Sequence, residues 1–256
     1  MFSITDDGPI RTLTIDNPGR RNAVPREDWV RLAELLGEFS ESEQQVLVVT
    51  GAGGDFCSGA DLGGDMAAMT STVTRHRWME HVADAARALH SLTKPTVAAV
   101  DGVAVGAGMN LALGCDVVIA TERARFSEIF VRRGLTVDFG GTWLLPRLIG
   151  LARAKELALT GRILEGAEAL EYGLVARVVP HGDLQAAAAA VAAELAAGAP
   201  MAQRFIKSGF DGSMEMSFDE AIDYESMAQV ICLGSEDVVE GIVSFVEKRP
   251  PDFKGR

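Results

Sequence analysis

The sequence predicts an α/β fold in which strand, glycine-rich corner and helix follow one another before a helical C-terminal region. Three observations carry this. Val46–Thr50 and Thr96–Val100 are short apolar runs of the kind that form strands buried on both faces. Each runs into small residues, Gly51-Ala-Gly-Gly54 and Asp101-Gly-Val-Ala-Val-Gly-Ala-Gly108. Apolar residues recur at helical spacing between these units, and from Leu184 to the end the pattern stays helical apart from Gly and Pro breaks.

Taken in order, Phe2–Asp6 and Ile10–Ile15 alternate apolar and polar around Asp7-Gly8, the signature of a β-hairpin. Asn17-Pro18-Gly19 stops the second strand. The loop that follows carries Arg20 and Arg21, which read either as a solvated pair or as contacts for ligand phosphates. Pro25 opens a helix bearing Trp29, Leu32, Leu35, Leu36 and Phe39 on one face. A second helix spans about Thr74–Leu92, with Trp78, Val82, Ala85 and Leu89 as its stripe, and Thr93-Lys94-Pro95 ends it. His76, His81 and His90 lack metal-ligand spacing and read as surface groups. Asp116–Ala120 is a further buried strand, Phe126–Leu135 a mixed segment, and helices follow at Trp143–Leu148, Ala152–Leu159 and Ala167–Tyr172. Ala176–Val179 is a last short strand. This divides the chain into a core over residues 1–195 and a C-terminal helical region over residues 196–256.

Composition bounds the function. The chain has 256 residues, 48% hydrophobic and 23% charged, enough for a large core. A net charge of −12 makes nucleic acid a poor partner. Cys57, Cys115 and Cys232 form no C-x-x-C pair, so neither a zinc site nor a disulfide framework is expected, and a reducing, cytoplasmic setting fits. The first residues have no basic start or apolar stretch of a signal peptide, and no apolar run is free enough of charge to read as a membrane span.

The two corners are the candidate site. Glycine and alanine leave backbone N–H groups open to a ligand at the strand ends. Two such corners can aim two N–H groups at one carbonyl oxygen, which is an oxyanion hole. Neither corner matches a dinucleotide or P-loop pattern, and no G-x-S-x-G nucleophile is present.

Gly54-Asp-Phe-Cys-Ser-Gly-Ala-Asp-Leu62, Asp101 to Ala112 and Gly140-Gly-Thr-Trp-Leu-Leu-Pro-Arg147 together resemble the crotonase (enoyl-CoA hydratase/isomerase) superfamily. The resemblance runs from Ile10 to the C-terminus. It implies a crotonase-like spiral of ββα units whose helical C-terminal region drives assembly into a homotrimer or hexamer. It implies an enzyme acting on an acyl-CoA thioester, with no cofactor beyond the coenzyme A of the substrate. The oxyanion-hole amides then fall on Ala60 and Ala107. Arg21, Ala23, Ser58, Gly59, Ala60, Asp61 and Leu62 would line the substrate channel with Phe130, and Lys248 or Lys254 would reach the phosphates.

The resemblance also marks a departure. Hydratases of the family use two glutamates to activate water, and those positions here hold Asn110 and Phe130. Glu128 lies nearby, out of register, and reads as a surface or helix-start residue. From its own surroundings Asp138 reads equally as a helix cap or as an acid/base group. The Asp-x-Gly-Gly-Thr-Trp-Leu-Leu-Pro-Arg pattern shared with phenylacetate-pathway enoyl-CoA isomerases implies the second. The expected activity is therefore a shift of a 3-enoyl-CoA double bond to the 2 position, or rearrangement of an aromatic-derived acyl-CoA, with Asp138 as base. A 2-enoyl-CoA hydratase with a rebuilt acid/base pair and a non-catalytic acyl-CoA-binding subunit are the alternatives. Asp61, Asp101 and Asp116 read as turn-shaping carboxylates. Met66, Met69, Trp78 and Trp143 read equally as pocket or core.

Overall fold

The computed structural model describes residues 1–63 and 71–256. Its main sheet has six strands, β1 (Phe2–Asp7), β2 (Ile10–Ile15), β3 (Val46–Gly51), β4 (Thr96–Val100), β6 (Val117–Thr121) and β9 (Arg177–Val179), side by side in that order. Only the β1–β2 hairpin is antiparallel; every other pairing in this sheet is parallel. A smaller sheet of β5 (Val103–Val105), β7 (Arg125–Ser127) and β8 (Leu164–Glu165) lies apart from it.

The near-continuous apolar runs have a simple cause: both faces of the main sheet are covered. Leu47, Val49, Ala98, Val100, Val118 and Ala120 point into one core. That core is shared with Trp29, Leu32 and Leu36 of α1 (Asp28–Glu41) and with Val82, Ala85 and Leu89 of α2 (Thr72–His90). The alternate residues Val46, Val48, Val97, Ala99 and Ile119 face the other way, onto Leu184, Ala188, Val191 and Ala192 of α7 (Leu184–Ala196). The period-2 alternation of a strand thus feeds two cores at once.

The chain moves from one sheet to the other at tight corners. Between β4 and β5 this is Asp101-Gly102, where Gly102 takes φ +52° and a side chain would strike the Gly54 carbonyl. After β5 comes α3 (Ala107–Leu113), buried along its whole length. β6 and β7 repeat the step, leading through a 3₁₀ turn at Ile129–Arg133 to α4 (Gly141–Ile149) and α5 (Leu151–Thr160). One strand in each sheet and then a helix is the expected ββα spiral. Strand β8, α6 (Gly166–Tyr172) and β9 complete it.

Sequence periodicity places the long elements within about three residues, the first helix starting at Asp28 and not at Pro25, but does not resolve β5, β7 or β8, which are two or three residues long. Helix α2 begins at Thr72, capped by the Ser71 hydroxyl, which accepts a hydrogen bond from the Thr74 amide. The last three helices, α8 (Pro200–Gly212), α9 (Phe218–Leu233) and α10 (Glu236–Glu247), differ from the rest. Neither α8 nor α9 has a fully buried residue, and Phe210, Phe218 and Phe245 are 75%, 79% and 84% exposed. Among the described residues no single helix is long and apolar enough to cross a membrane.

Candidate active site

The two corners meet, and backbone contacts hold them. The amides of Phe56 and Cys57 donate to the Val103 carbonyl at 3.0 and 2.9 Å, and the Val105 amide donates to the Cys57 carbonyl at 3.0 Å. A side chain on Gly108 would run into that Cys57 carbonyl. At Gly59, where φ is +86°, a Cβ would lie 2.9 Å from the Val105 carbonyl and 3.4 Å from the Ala107 nitrogen. The residue just before Ala60 is therefore packed on the backbone that starts α3. Glycine is needed there both for the left-handed backbone and for the close approach.

Among the described residues Ala60 and Ala107 keep their amides free, each for its own local reason. Ala60 pairs with Val24 in a single parallel bridge, in which the Val24 amide donates to the Gly59 carbonyl at 2.8 Å and the Asp61 amide to the Val24 carbonyl at 2.9 Å. That bridge uses the groups on either side of the Ala60 N–H and not the N–H itself. Ala107 is the first residue of α3, where an amide has no partner within the helix. Among the described residues neither amide donates to another backbone carbonyl.

Loop 17–24 is laced to the first corner. The Ser58 amide and hydroxyl donate to the carbonyls of Arg21 and Arg20, each at 3.0 Å. Asn22, fully buried with φ +58°, donates through its amide nitrogen to the carbonyls of Ala52 and Asp55 and accepts from the Asn17 amide. Sequence reasoning passed over Asn22; its signal is that Asn tolerates the left-handed region and bonds backbone at short range. Ala23 is buried. Arg21 projects its guanidinium largely into solvent, 4.0 Å from Asp55, and Arg20 lies 3.8 Å from Asp61. Asp61 itself accepts from the Gly63 amide at 2.8 Å, a turn-shaping contact, and Leu62 is partly exposed. Met66 and Met69 lie outside the described residues. Lys254 pairs with Asp252, and Lys248 forms the left-handed end of α10.

One turn into α3, Asn110 forms part of the wall of a cavity of about 540 Å³. Val137, Asp138, Phe139, Trp143 and Leu144 close one side, and α2 closes the other with Val82, Ala86 and Leu89. The volume and apolar walls suit a small-molecule site. Trp143 is thus a pocket residue, whereas Trp78 packs on the main core beneath the Arg26 guanidinium. His90 is exposed on α2 but reaches the cavity edge beside Trp143. Phe130 is buried with its ring against Gly106, so that it fills space under the start of α3 rather than lining the cavity.

The geometry separates the two readings of Asp138. The residue at the start of α4 is Gly140, with no side-chain cap, and the Asp138 carbonyl, not its carboxylate, accepts from the Gly141 amide at 3.0 Å. Oδ1 of Asp138 is buried and has no hydrogen-bond partner among the described residues. Burial raises the carboxyl to about 6. An uncapping, unpartnered carboxylate at a cavity wall, poised near neutral pH, has the properties of a proton acceptor.

Glu128 corrects a sequence expectation. It is fully buried, not at the surface. The Asn110 amide nitrogen lies 3.4 Å from its Oε2 and donates at 2.9 Å to the Asp138 carbonyl. Burial, with the nearby Asp138 charge as a smaller contribution, raises Glu128 to about 8 against the lowering effect of Asn110. Periodicity gave no sign of this, because the segment is irregular and its covering residues come from α3 and the loop before α4.

The Cys57 thiol, beside the first corner, is pushed up to about 12 by burial and is no nucleophile. Asp101 is bound by Arg123, Thr121 and His181, and Asp116 by Thr96 and Lys207, so both anchor loops as expected. A larger hollow of about 780 Å³ among α8, α9 and α10 contains none of these acid/base residues.

The enoyl-CoA hydratase/isomerase family model matches residues 6–256. The chain belongs to that family. It is 38% identical over 247 residues to a Rhodobacter capsulatus protein named "Probable enoyl-CoA hydratase", covering 96% of this chain and 95% of the relative. It is 37% identical over 253 residues to the 1,2-epoxyphenylacetyl-CoA isomerase of Escherichia coli, again covering 96% and 95%. The crystal structure of an enoyl-CoA hydratase from Bacillus anthracis superimposes with a TM-score of 0.94 at 31% identity, covering 100% of this chain and 99% of that one. The fold is thus that of the crotonase superfamily, and both hydratases and an isomerase stand among its relatives.

Proposed function

We propose that this chain is an acyl-CoA isomerase that moves a 3-enoyl double bond to the 2 position through an enolate. The observation that carries the reading is Asp138: a half-buried carboxylate on a cavity wall whose Oδ1 is buried and has no partner among the described residues, where Asn110 and Phe130 replace the two glutamates of a hydratase. The amides of Ala60 and Ala107 receive the thioester oxygen. Deprotonation at the alpha carbon builds negative charge on that oxygen, and two preorganised donors stabilise it. Asp138 takes the alpha proton and returns it at the gamma carbon, so no water has to be held. Arg21 and loop residues 58–62 flank the coenzyme A portion, and α8 to α10 form the trimer or hexamer contacts through their exposed apolar faces.

Hydration of a 2-enoyl-CoA is the second reading. It is favoured by the burial of Glu128 beside Asn110, which supplies a second carboxyl group close to Asp138. The purified protein is to be assayed with crotonyl-CoA and with a 3-enoyl-CoA. Isomerisation without hydration supports the first reading. Hydration of crotonyl-CoA at ordinary enzyme rates sinks it.

A further inference from the structure

Asn110, Glu128 and Asp138 present a hydrogen-bonding deficit. Oδ1 of Asn110, Oε1 of Glu128 and Oδ1 of Asp138 are all buried and all without partners among the described residues. The amide nitrogen of Asn110 is already committed, to the Asp138 carbonyl at 2.9 Å and to Glu128 Oε2 at 3.4 Å. Gly141 presses on the same amide, leaving no room for a side chain there. Ionised carboxylates are acceptors only. These oxygens can share a hydrogen bond with one another only if one carboxyl group carries a proton, which turns an acceptor into a donor.

We propose that Glu128 is the positioning residue of this site: an undissociated acid that holds the Asn110 amide, and through it the backbone beneath Asp138, so that Asp138 alone carries the negative charge. Two carboxyl groups sharing a dry site titrate apart, one staying protonated while the other ionises. Glu128 is the more deeply buried of the two and is raised further. No cation offsets it among the described residues; the one charge that acts on it is Asp138. Arg87 and His90 enter the cavity from α2, where Arg87 is paired with Asp84, while Arg132 after Glu128 donates to the Thr160 carbonyl. Ionisation of Glu128 would place a second negative charge beside the growing enolate and oppose it. The inference rests on Asp138 being the base, as proposed above.

The test is a pH profile of kcat/KM on whichever thioester the wild-type enzyme turns over, so that hydration in place of isomerisation overturns the reaction assignment and leaves this test intact. The wild type is expected to lose activity below about pH 6 and again above about pH 8. Glu128→Gln, whose amide still donates but cannot ionise, should keep the acid limb and lose the alkaline one. Glu128→Leu should lower kcat at least tenfold with KM little changed. Retention of the alkaline limb in E128Q, or its absence from the wild type, overturns the proposal. A second readout needs no active variant of Glu128. Infrared spectra of Asp138→Asn at pH 7 should show an undissociated carboxyl band that disappears as the pH is raised and that is missing when Glu128→Gln is added, since burial, the larger cause, remains. A spectrum without that band also overturns the proposal.

Discussion

Replacing Asp138 with Asn keeps the size of the side chain and removes its ability to accept and return a proton. General-base catalysis contributes about 10²–10⁴ in rate, so kcat for 3-enoyl-CoA isomerisation should fall by roughly that factor, about 2.7–5.4 kcal/mol. The pH dependence can be worked from the site. Burial raises Asp138 to about 6, and a base of the proposed kind acts in its ionised form. It is about 90% ionised at pH 7 and about 10% at pH 5, so the rate should drop about ninefold between them. An ordinary aspartate would show no such loss until pH 4. Stability moves the opposite way. A raised carboxyl pKa favours the protonated folded state, a contribution present at low pH and lost as pH rises through about 6. Above that pH, Asp138→Asn relieves a buried charge, so its Tm should be equal to or higher than that of the wild type. Lost turnover then cannot be ascribed to unfolding. The assay is the appearance of the conjugated thioester, with coenzyme A ester binding measured in parallel. Unchanged turnover in the variant, or an acid limb centred near pH 4, refutes the role given to Asp138.

Other perturbations follow from the same geometry. Gly59→Ala should push the Ala60 corner off the Ala107 backbone; loss of one donor lowers kcat by roughly 10²–10³, and retained kcat in a folded variant would detach that corner from catalysis. Because Glu128 is raised to about 8, its neutral form stabilises the fold below about pH 4.5 and that contribution is lost as pH rises through about 8. Thermal melts should therefore show a decline over this range that is flatter in Glu128→Gln, and parallel curves for the two proteins would contradict it. If α8 to α10 form the proposed trimer or hexamer contacts, aspartate at Phe210 or Phe245, both largely exposed here, should lower the sedimentation coefficient without unfolding the chain; a wild-type protein that sediments as a monomer, or an unchanged coefficient in the variants, would contradict that proposal.

What the sequence made legible was decided by which interactions are local. Val46–Thr50 and Thr96–Val100 stand out because both faces of each strand are buried, so every residue is apolar or small. The paired corners stand out because close backbone approach at Gly59 and Gly108 excludes any side chain. The small sheet was not legible, since strands of two or three residues have no period to read. Asp138 was visible as a choice between cap and base, and only the direction of its side chain separates them. Glu128 was misplaced for a related reason. Its burial comes from Asn110 and the loop before α4, which are neighbours in space and not in sequence.

The most direct measurement is a crystal structure with a non-reacting acyl-CoA analogue bound. The account predicts the thioester oxygen within about 2.7–3.1 Å of the backbone nitrogens of both Ala60 and Ala107, with the Asp138 carboxylate facing the alpha carbon. A thioester oxygen held by other donors, or an Asp138 side chain turned away from the acyl chain, would contradict it.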